Sequence, residues 1–391
     1  MNKTFSTIGL LLLSVLLQAQ TVNDLLWQIE TNNKKLQAER QRLQAAKTGF
    51  QTGLTLYDPQ VSYDYMKGSP ATAGNQIDFI INQPFDFPTA YGQKKKVSDL
   101  KVSQADFEEA VIRREILLEA KVLCVQLIYL NRRKAELAQR LQAVQKFYDD
   151  YQKKFERQQA SILDLNKARL RLLSIQTEQN RVETERQTAL QQLAELNGGV
   201  ALDFTTDTYP AAALPPAFEP LFDYIESIDP ALKYYEKQKQ IGEAQTSLSK
   251  SLSLPKLEAG YHYQGILGQR FNGAHIGFNI PLWEKKNTVK YQLQQTHFYD
   301  RQIQDHHHEH YFEVKKLYDR AANLSAQQEV FRQHLDALNA TPLLDKALQA
   351  GQVSTLEYFL ELSLYYESVD QFLLLEAQYH ETLARLLKHE L

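Results

Sequence analysis

Residues 116–164, ILLEAKVLCVQLIYLNRRKAELAQRLQAVQKFYDDYQKKFERQQASILD, decide the fold. Ile116, Leu123, Leu130, Leu137, Val144 and Tyr151 recur at every seventh position. Ala120, Leu127, Leu141, Tyr148 and Phe155 occupy the companion positions, and Lys134 is the one polar interruption. An apolar repeat of seven keeps one seam of a helix turned toward a neighbouring helix, the pattern of a coiled coil. Residues 93–197 contain neither Gly nor Pro, so nothing in them demands a long loop. Ile175, Val182, Ala189 and Leu196 continue a seam beyond the quoted stretch. The break between the two helices is therefore brief and falls at 158–161. Ser161 can cap the second helix there, with Asp164 completing a Ser-x-x-Asp box.

The same grammar occurs twice. A shift of 196 residues carries Leu36 onto Leu232 and Pro59 onto Pro255, and a shift of 197 carries Pro84 onto Pro281. A shift of 193 carries Gln159-Ala160-Ser161-Ile162-Leu163-Asp164 onto Gln352-Val353-Ser354-Thr355-Leu356-Glu357. Three ordered matches at nearly constant spacing define a tandem duplication, 21–198 and 217–391. The breaker-rich stretch 199–216, with Gly199, Tyr209-Pro210 and Leu214-Pro215-Pro216, joins them.

Each half opens with a helix, 22–55 or 217–250. Thr21 and Asp24 can cap the first, and Pro220 sits near the start of the second. A β-hairpin follows, 57–84 or 255–281, and then a long helical hairpin, 92–197 or 284–390. The strands are read from period-two alternation in Val61-Ser62-Tyr63-Asp64-Tyr65, Leu257-Glu258-Ala259-Gly260-Tyr261-His262-Tyr263, Ile77-Asp78-Phe79 and His275-Ile276-Gly277-Phe278-Asn279-Ile280. Alternation puts one set of side chains on each sheet face. One face carries aliphatics and aromatics, and the other carries Ser62, Asp64, Asp78, Glu258, His262, His275 and Asn279. Loops are expected over 66–76 and 264–274, where Gly, Pro and Asn collect. Four strands are too few for a sandwich, but repeated by symmetry they can close a barrel with apolar outer bands and tyrosine belts.

Helix lengths fit a tube. Residues 92–157 make a helix of about 98 Å at about 1.5 Å per residue. The stretches 161–197 and 22–55 together match it, as 354–390 and 217–250 together match 284–350. Pro342 is expected to kink or interrupt the second long helix.

Bulk composition agrees. Only 15 Gly and 12 Pro occur in 391 residues, and a net charge of −3 offers no basic field for a nucleic-acid backbone. Lys3 followed by the apolar run 8–17 reads as a secretory signal over 1–20, too short to span a bilayer. Cys124 lies mid-helix among Leu123, Val125 and Leu127, a small buried apolar residue, and no cysteine follows the signal to carry a lipid anchor. His-Glu-x-x-His, Gly-x-Ser-x-Gly, Cys-x-x-Cys and phosphate-cradling Gly-rich loops are all missing, so no enzyme is expected.

With its duplication, its strand-end prolines Pro84 and Pro281, and its tip sequence Gly351-Gln352-Val353-Ser354-Thr355-Leu356-Glu357, the chain resembles the TolC family of outer-membrane efflux proteins over nearly all its mature length. The resemblance implies a mainly α protein with a membrane β-barrel contribution. It implies a homotrimer whose four strands per chain form a twelve-stranded barrel in outer-membrane lipid, above an α-helical periplasmic tunnel. It implies a periplasmic adaptor and an inner-membrane pump of the RND type as partners, and no cofactor. Adaptor contact falls on the tips Gln158, Gln159, Ala160 and Ser161, and Gly351, Gln352, Val353 and Ser354. Ser62, Asp64, Asp78, Glu258, His262 and His275 would line the pore. The short, loop-poor form is similar to the heavy-metal branch, which makes heavy-metal cations the favoured cargo. Multidrug efflux, type I secretion and an exported structural coiled coil are the alternatives.

One cluster lies outside this scheme. In His306-His307-His308-Glu309-His310, His306 and His310 share a helical face and could ligate a metal ion. The alternative is a polar helix surface.

Overall fold

The structure, a computed structural model, describes residues 21–337 and 340–391. The expected signal segment lies outside the described residues. The helices are α1 (Val22–Asn32), α2 (Lys34–Phe50), α3 (Thr89–Glu156), α4 (Ile162–Leu196), α5 (Phe218–Ile228), α6 (Pro230–Leu252), α7 (Thr288–Ala337), α8 (Ala340–Gln349) and α9 (Thr355–Leu386). The strands are β1 (Gln60–Met66), β2 (Gln76–Phe85), β3 (Lys256–Ile266) and β4 (Gln269–Asn279). They form one antiparallel sheet in the order β1-β2-β3-β4. The chain divides into two compact units, each drawing on both halves of the sequence. One holds 21–33, 119–213 and 321–385, and so both helix tips; the other holds 34–118, 214–320 and 386–391, and so the whole sheet.

The heptad seam is buried where it is strongest. Ile116, Leu123, Leu130, Leu137, Val144 and Tyr151 are all buried, as are Ala120 and Leu127. Toward the tip the companion row thins: Leu141 and Tyr148 are half-buried and Phe155 is exposed. In α4, Ile175, Val182 and Ala189 are buried, but Leu193 rather than Leu196 fills the last core position. Cys124 is buried among them, and burial pushes its thiol up to about 12, so it stays an inert apolar group.

Each opening helix is two helices, where one was expected. The breaks fall at Asn33 (φ −61°, ψ 117°) and Asp229 (φ −67°, ψ 116°), positions that the repeat shift of 196 makes equivalent. At Asp229 the cause is Pro230, which forces the preceding residue to extended backbone and suits the first position of a helix, where no donor is needed. Asp229 then caps α6, its Oδ2 accepting from the Leu232 amide at 3.1 Å. Asn33 reaches the same conformation without a proline. Its amide donates to Ile29 O at 2.8 Å, and its Nδ2 donates to Leu196 O at 2.8 Å.

The second hairpin also departs from expectation. In place of a loop over 264–274, β3 and β4 run to a two-residue turn, Leu267-Gly268, with φ of 50° and 81°. Positive φ at both positions matches the twist of the flanking strands, so the ladder continues to the turn. The first hairpin keeps a longer connection, with a single turn of 3-10 helix at Ala71–Ala73. Pro342 lies on α8, and the junction with α7 at 338–339 falls outside the described residues.

Candidate functional site

Cross-strand register assigns the sheet faces. Asp64 lies opposite Asp78 and Asp78 opposite Gln264; Ser62 lies opposite Ile80 and Ile80 opposite His262; Glu258 lies opposite Gly277 and Gly260 opposite His275. Directly opposed residues share a face. Ser62, Asp64, Asp78, Glu258, His262 and His275 therefore all lie on one face, along with Gln76 and Asn82, which the sequence reading did not single out. The polar groups pair across the strands. His262 Nε2 sits 3.3 Å from Asp78 Oδ1 and His275 Nε2 sits 3.1 Å from Glu258 Oε1. Along β2 itself Gln76 Nε2 donates to Asp78 Oδ2 at 2.8 Å, and across to β3 Asn82 Nδ2 donates to Glu258 Oε2 at 2.8 Å. Gly260 is required here, because a Cβ on it would lie 2.3 Å from the Ile81 carbonyl oxygen. The opposite face carries Val61, Tyr63, Tyr65, Ile81, Tyr261, Ile276 and Phe278, all exposed.

The two tips have one backbone design. At the first, Gln158 takes φ +60°, the Gln159 amide donates to Lys154 O at 2.8 Å and the Gln158 amide to Phe155 O at 2.9 Å. At the second, Gly351 takes φ +70°, the Gln352 amide donates to Ala347 O at 2.8 Å and the Gly351 amide to Leu348 O at 3.1 Å. Both are Schellman endings. Gln158 stands where the second tip has Gly351, and the first tip keeps the same geometry with Gln158 bearing a left-handed backbone. After Ala160 and Val353 the chain restarts in the same way. The Asp164 amide donates to Ser161 Oγ and the Glu357 amide to Ser354 Oγ, each at 3.2 Å. Behind the tips Phe147 stacks on Tyr151 and Tyr358, and Tyr358 Oη donates to Asp345 at 2.8 Å.

Above the tips a groove of about 690 Å³ is lined by Arg133, Arg140, Arg171, Tyr366 and Asp370 from α3, α4 and α9. Arg140 is buried and donates to both carboxylate oxygens of Asp370, at 2.7 and 3.2 Å, while its ring-facing side stacks on Tyr366. Burial pulls the Arg140 guanidinium below its ordinary value, against the pull of Glu136. Arg133 pairs with the same Asp370.

The histidine cluster faces the break between α5 and α6. His306 Nε2 lies 3.0 Å from Asp229 Oδ2, and Arg114 Nη1 donates to Asp229 Oδ1 at 2.9 Å. His307 pairs with Glu226, and His306 stacks on His310 with ring centres 5.5 Å apart. Burial would raise the Asp229 carboxyl, but the bonds from His306 and the Leu232 amide, with the charges of His310 and Arg114, hold it well below the carboxylate range. Glu313 is lowered to about 2 by its bond to His310 first, against desolvation and with help from Lys388. Among the described residues no three His, Cys, Asp or Glu side chains gather as a metal-binding group. The cluster's structural partners, Asp229 and Arg114, were signalled in sequence only by the Asp-Pro dipeptide.

A four-stranded sheet with one polar and one apolar face, joined to very long paired helices with capped tips, is the TolC-like fold of outer-membrane efflux channels. The chain is similar over 94% of its length to a membrane protein from Pseudomonas aeruginosa, with a TM-score of 0.78, 15% identity and 93% of that chain covered. It is similar over 94% of its length to CusC, whose structures concern transmembrane channel formation, with a TM-score of 0.76, 16% identity and 91% coverage of that chain. It is similar over the same share to the outer membrane protein VceC from Vibrio cholerae, with a TM-score of 0.73, 13% identity and 94% coverage of that chain. No protein-family profile matches the chain, and no curated protein matches it in sequence.

Proposed function

We propose that this chain is the outer-membrane channel of a tripartite efflux system, a passive duct that catalyses no reaction. The observation that carries this reading is the sheet. Its outward residues Val61, Tyr63, Tyr65, Ile276 and Phe278 are 56–71% exposed, while the other face is a network of paired polar groups. An exposed apolar face of this kind needs a non-aqueous neighbour. Both sheet edges are open, and an open edge inside hydrocarbon leaves backbone donors and acceptors unsatisfied. Closure by symmetry removes both problems: three copies give twelve strands, with lipid outside and water inside. Among the described residues no helix is long and apolar enough to cross a membrane, and a barrel needs none.

In this reading the chain sits in the outer membrane as a homotrimer, with its long helices in the periplasm. The residues 158–161 and 351–354 meet a periplasmic adaptor, which couples the duct to an inner-membrane pump of the RND type. The favoured cargo is heavy-metal cations, in keeping with the short, loop-poor form of the chain. Deleting the gene and measuring survival in zinc, copper, cobalt and lipophilic drugs tests this. Metal sensitivity of the deletion strain that the intact chain relieves is expected; unchanged metal tolerance with drug hypersensitivity would replace metals with drugs as cargo. Unchanged survival in every compound would remove the efflux role.

A further inference from the structure

The internal junction of the sheet specifies the junction between copies. Inside the chain β2 pairs with β3, with Asn82 opposite Gly260 and Phe85 opposite Leu257. The shift of 197 that carries Pro84 onto Pro281 turns β2 into β4 and its continuation. The shift of 196 that carries Pro59 onto Pro255 turns β1 into β3. Asn82 thereby becomes Asn279, and Gly260 becomes Asp64. We infer that β4 of one copy pairs antiparallel with β1 of the next with Asn279 opposite Asp64 and Phe278 opposite Tyr65. The pairing runs on past the present end of β4, with Ile280 opposite Tyr63 and Leu282 opposite Val61. The inference rests on the ring closure proposed above and adds its register.

Two observations support that register. Asn279 pairs with Lys256 and so shares the polar face with Asp64, whereas Phe278 and Tyr65 share the apolar face. A slip of one residue would set polar against apolar along the whole seam, so only slips of two or four compete. Exposure decides among these. Ile280, Leu282 and Trp283 are 60, 69 and 81% exposed in the single chain. The counterparts of Ile280 and Leu282 at the internal junction, Gln83 and Phe85, pair opposite Ala259 and Leu257 and are half-buried. A register confined to the strands as they stand, with Asn279 opposite Gln60, would leave those three side chains uncovered. Pro281 is no obstacle, because Pro84 already pairs opposite Glu258 inside the chain.

Cysteine pairs in the full chain, expressed in the outer membrane, test the register. Directly opposed Cα atoms lie about 4.5–5.5 Å apart, within disulfide reach, and residues two further along do not. The proposed pairs are Tyr65→Cys with Phe278→Cys and Asp64→Cys with Asn279→Cys, one of each ladder type. The slipped controls are Tyr65→Cys with Ile276→Cys and Tyr65→Cys with Ala274→Cys. Buried Cys124 takes no part. Mild oxidation is expected to link copies through at least one proposed pair at least tenfold faster than through either control. Faster linking at a control overturns the register and leaves the ring standing. No linking at any pair, in a chain that sediments as a monomer from detergent, removes the ring and the register together. No linking at any pair in an oligomer overturns the register alone.

Discussion

At the residue scale, Asp229 does two jobs that different substitutions separate. It caps α6 through Leu232 and it neutralises Arg114 beside His306. Asp229→Asn keeps the cap and strands a guanidinium that is largely buried, so a loss on the order of 3 kcal/mol is expected at pH 7. Because the folded carboxyl is held below its ordinary value, the wild-type advantage is full above about pH 4 and fades as pH falls below that. Urea midpoints at pH 7 and pH 3 for both proteins check the size and the sign. His380 behaves oppositely. Burial first, and the Arg132 charge second, lower it to about 4, and its ring stacks on Tyr209. A histidine kept neutral costs stability as pH falls from 6.5 toward 4, so His380→Gln should flatten the melting temperature across that window. Gln158 bears a left-handed backbone that glycine adopts freely. Gln158→Gly should slow hydrogen exchange at the Gln159 amide through a gain of about 1 kcal/mol, and Gly351→Ala should speed it at Gln352.

At the element scale, burial along the seam ranks the helix substitutions. Leu127 is fully buried, and Leu127→Ala should cost about 2–5 kcal/mol, whereas half-buried Leu141→Ala should cost roughly half as much or less. Thermal melts of the two variants check the ranking. The seam was legible because seven-residue spacing survives in any context, and the strands because alternation does. Strand ends were less legible. Gly265, Gly268 and Gly273 look like loop residues, yet only Gly268 and its neighbour Leu267 form the turn, while the other two pair within the ladder. The breaks in the opening helices show the limit of local reading. Asp229-Pro230 carries its own signal, but Asn33 carries none of comparable strength. Its extended backbone is held by Leu196, which lies 163 residues away in sequence. Only the repeat shift, applied from Asp229, would have found it. The histidine cluster was ambiguous for the same reason: its partners Asp229 and Glu226 come from a segment about eighty residues earlier.

At the scale of the whole molecule, duplication explains the most with the least. It sets two hairpins side by side, repeats the tip, places Asn33 and Asp229 at matching breaks, and leaves β1 and β4 as open edges. The chain by itself is an open sheet with an exposed apolar face, a liability in water and a requirement in lipid. Separation of cell membranes by density, followed by gel analysis of the unheated outer-membrane fraction, tests the central claim most directly. The mature chain is predicted to band with the outer membrane as an assembly of three copies. Recovery of the chain as a monomer in the soluble periplasm would contradict it.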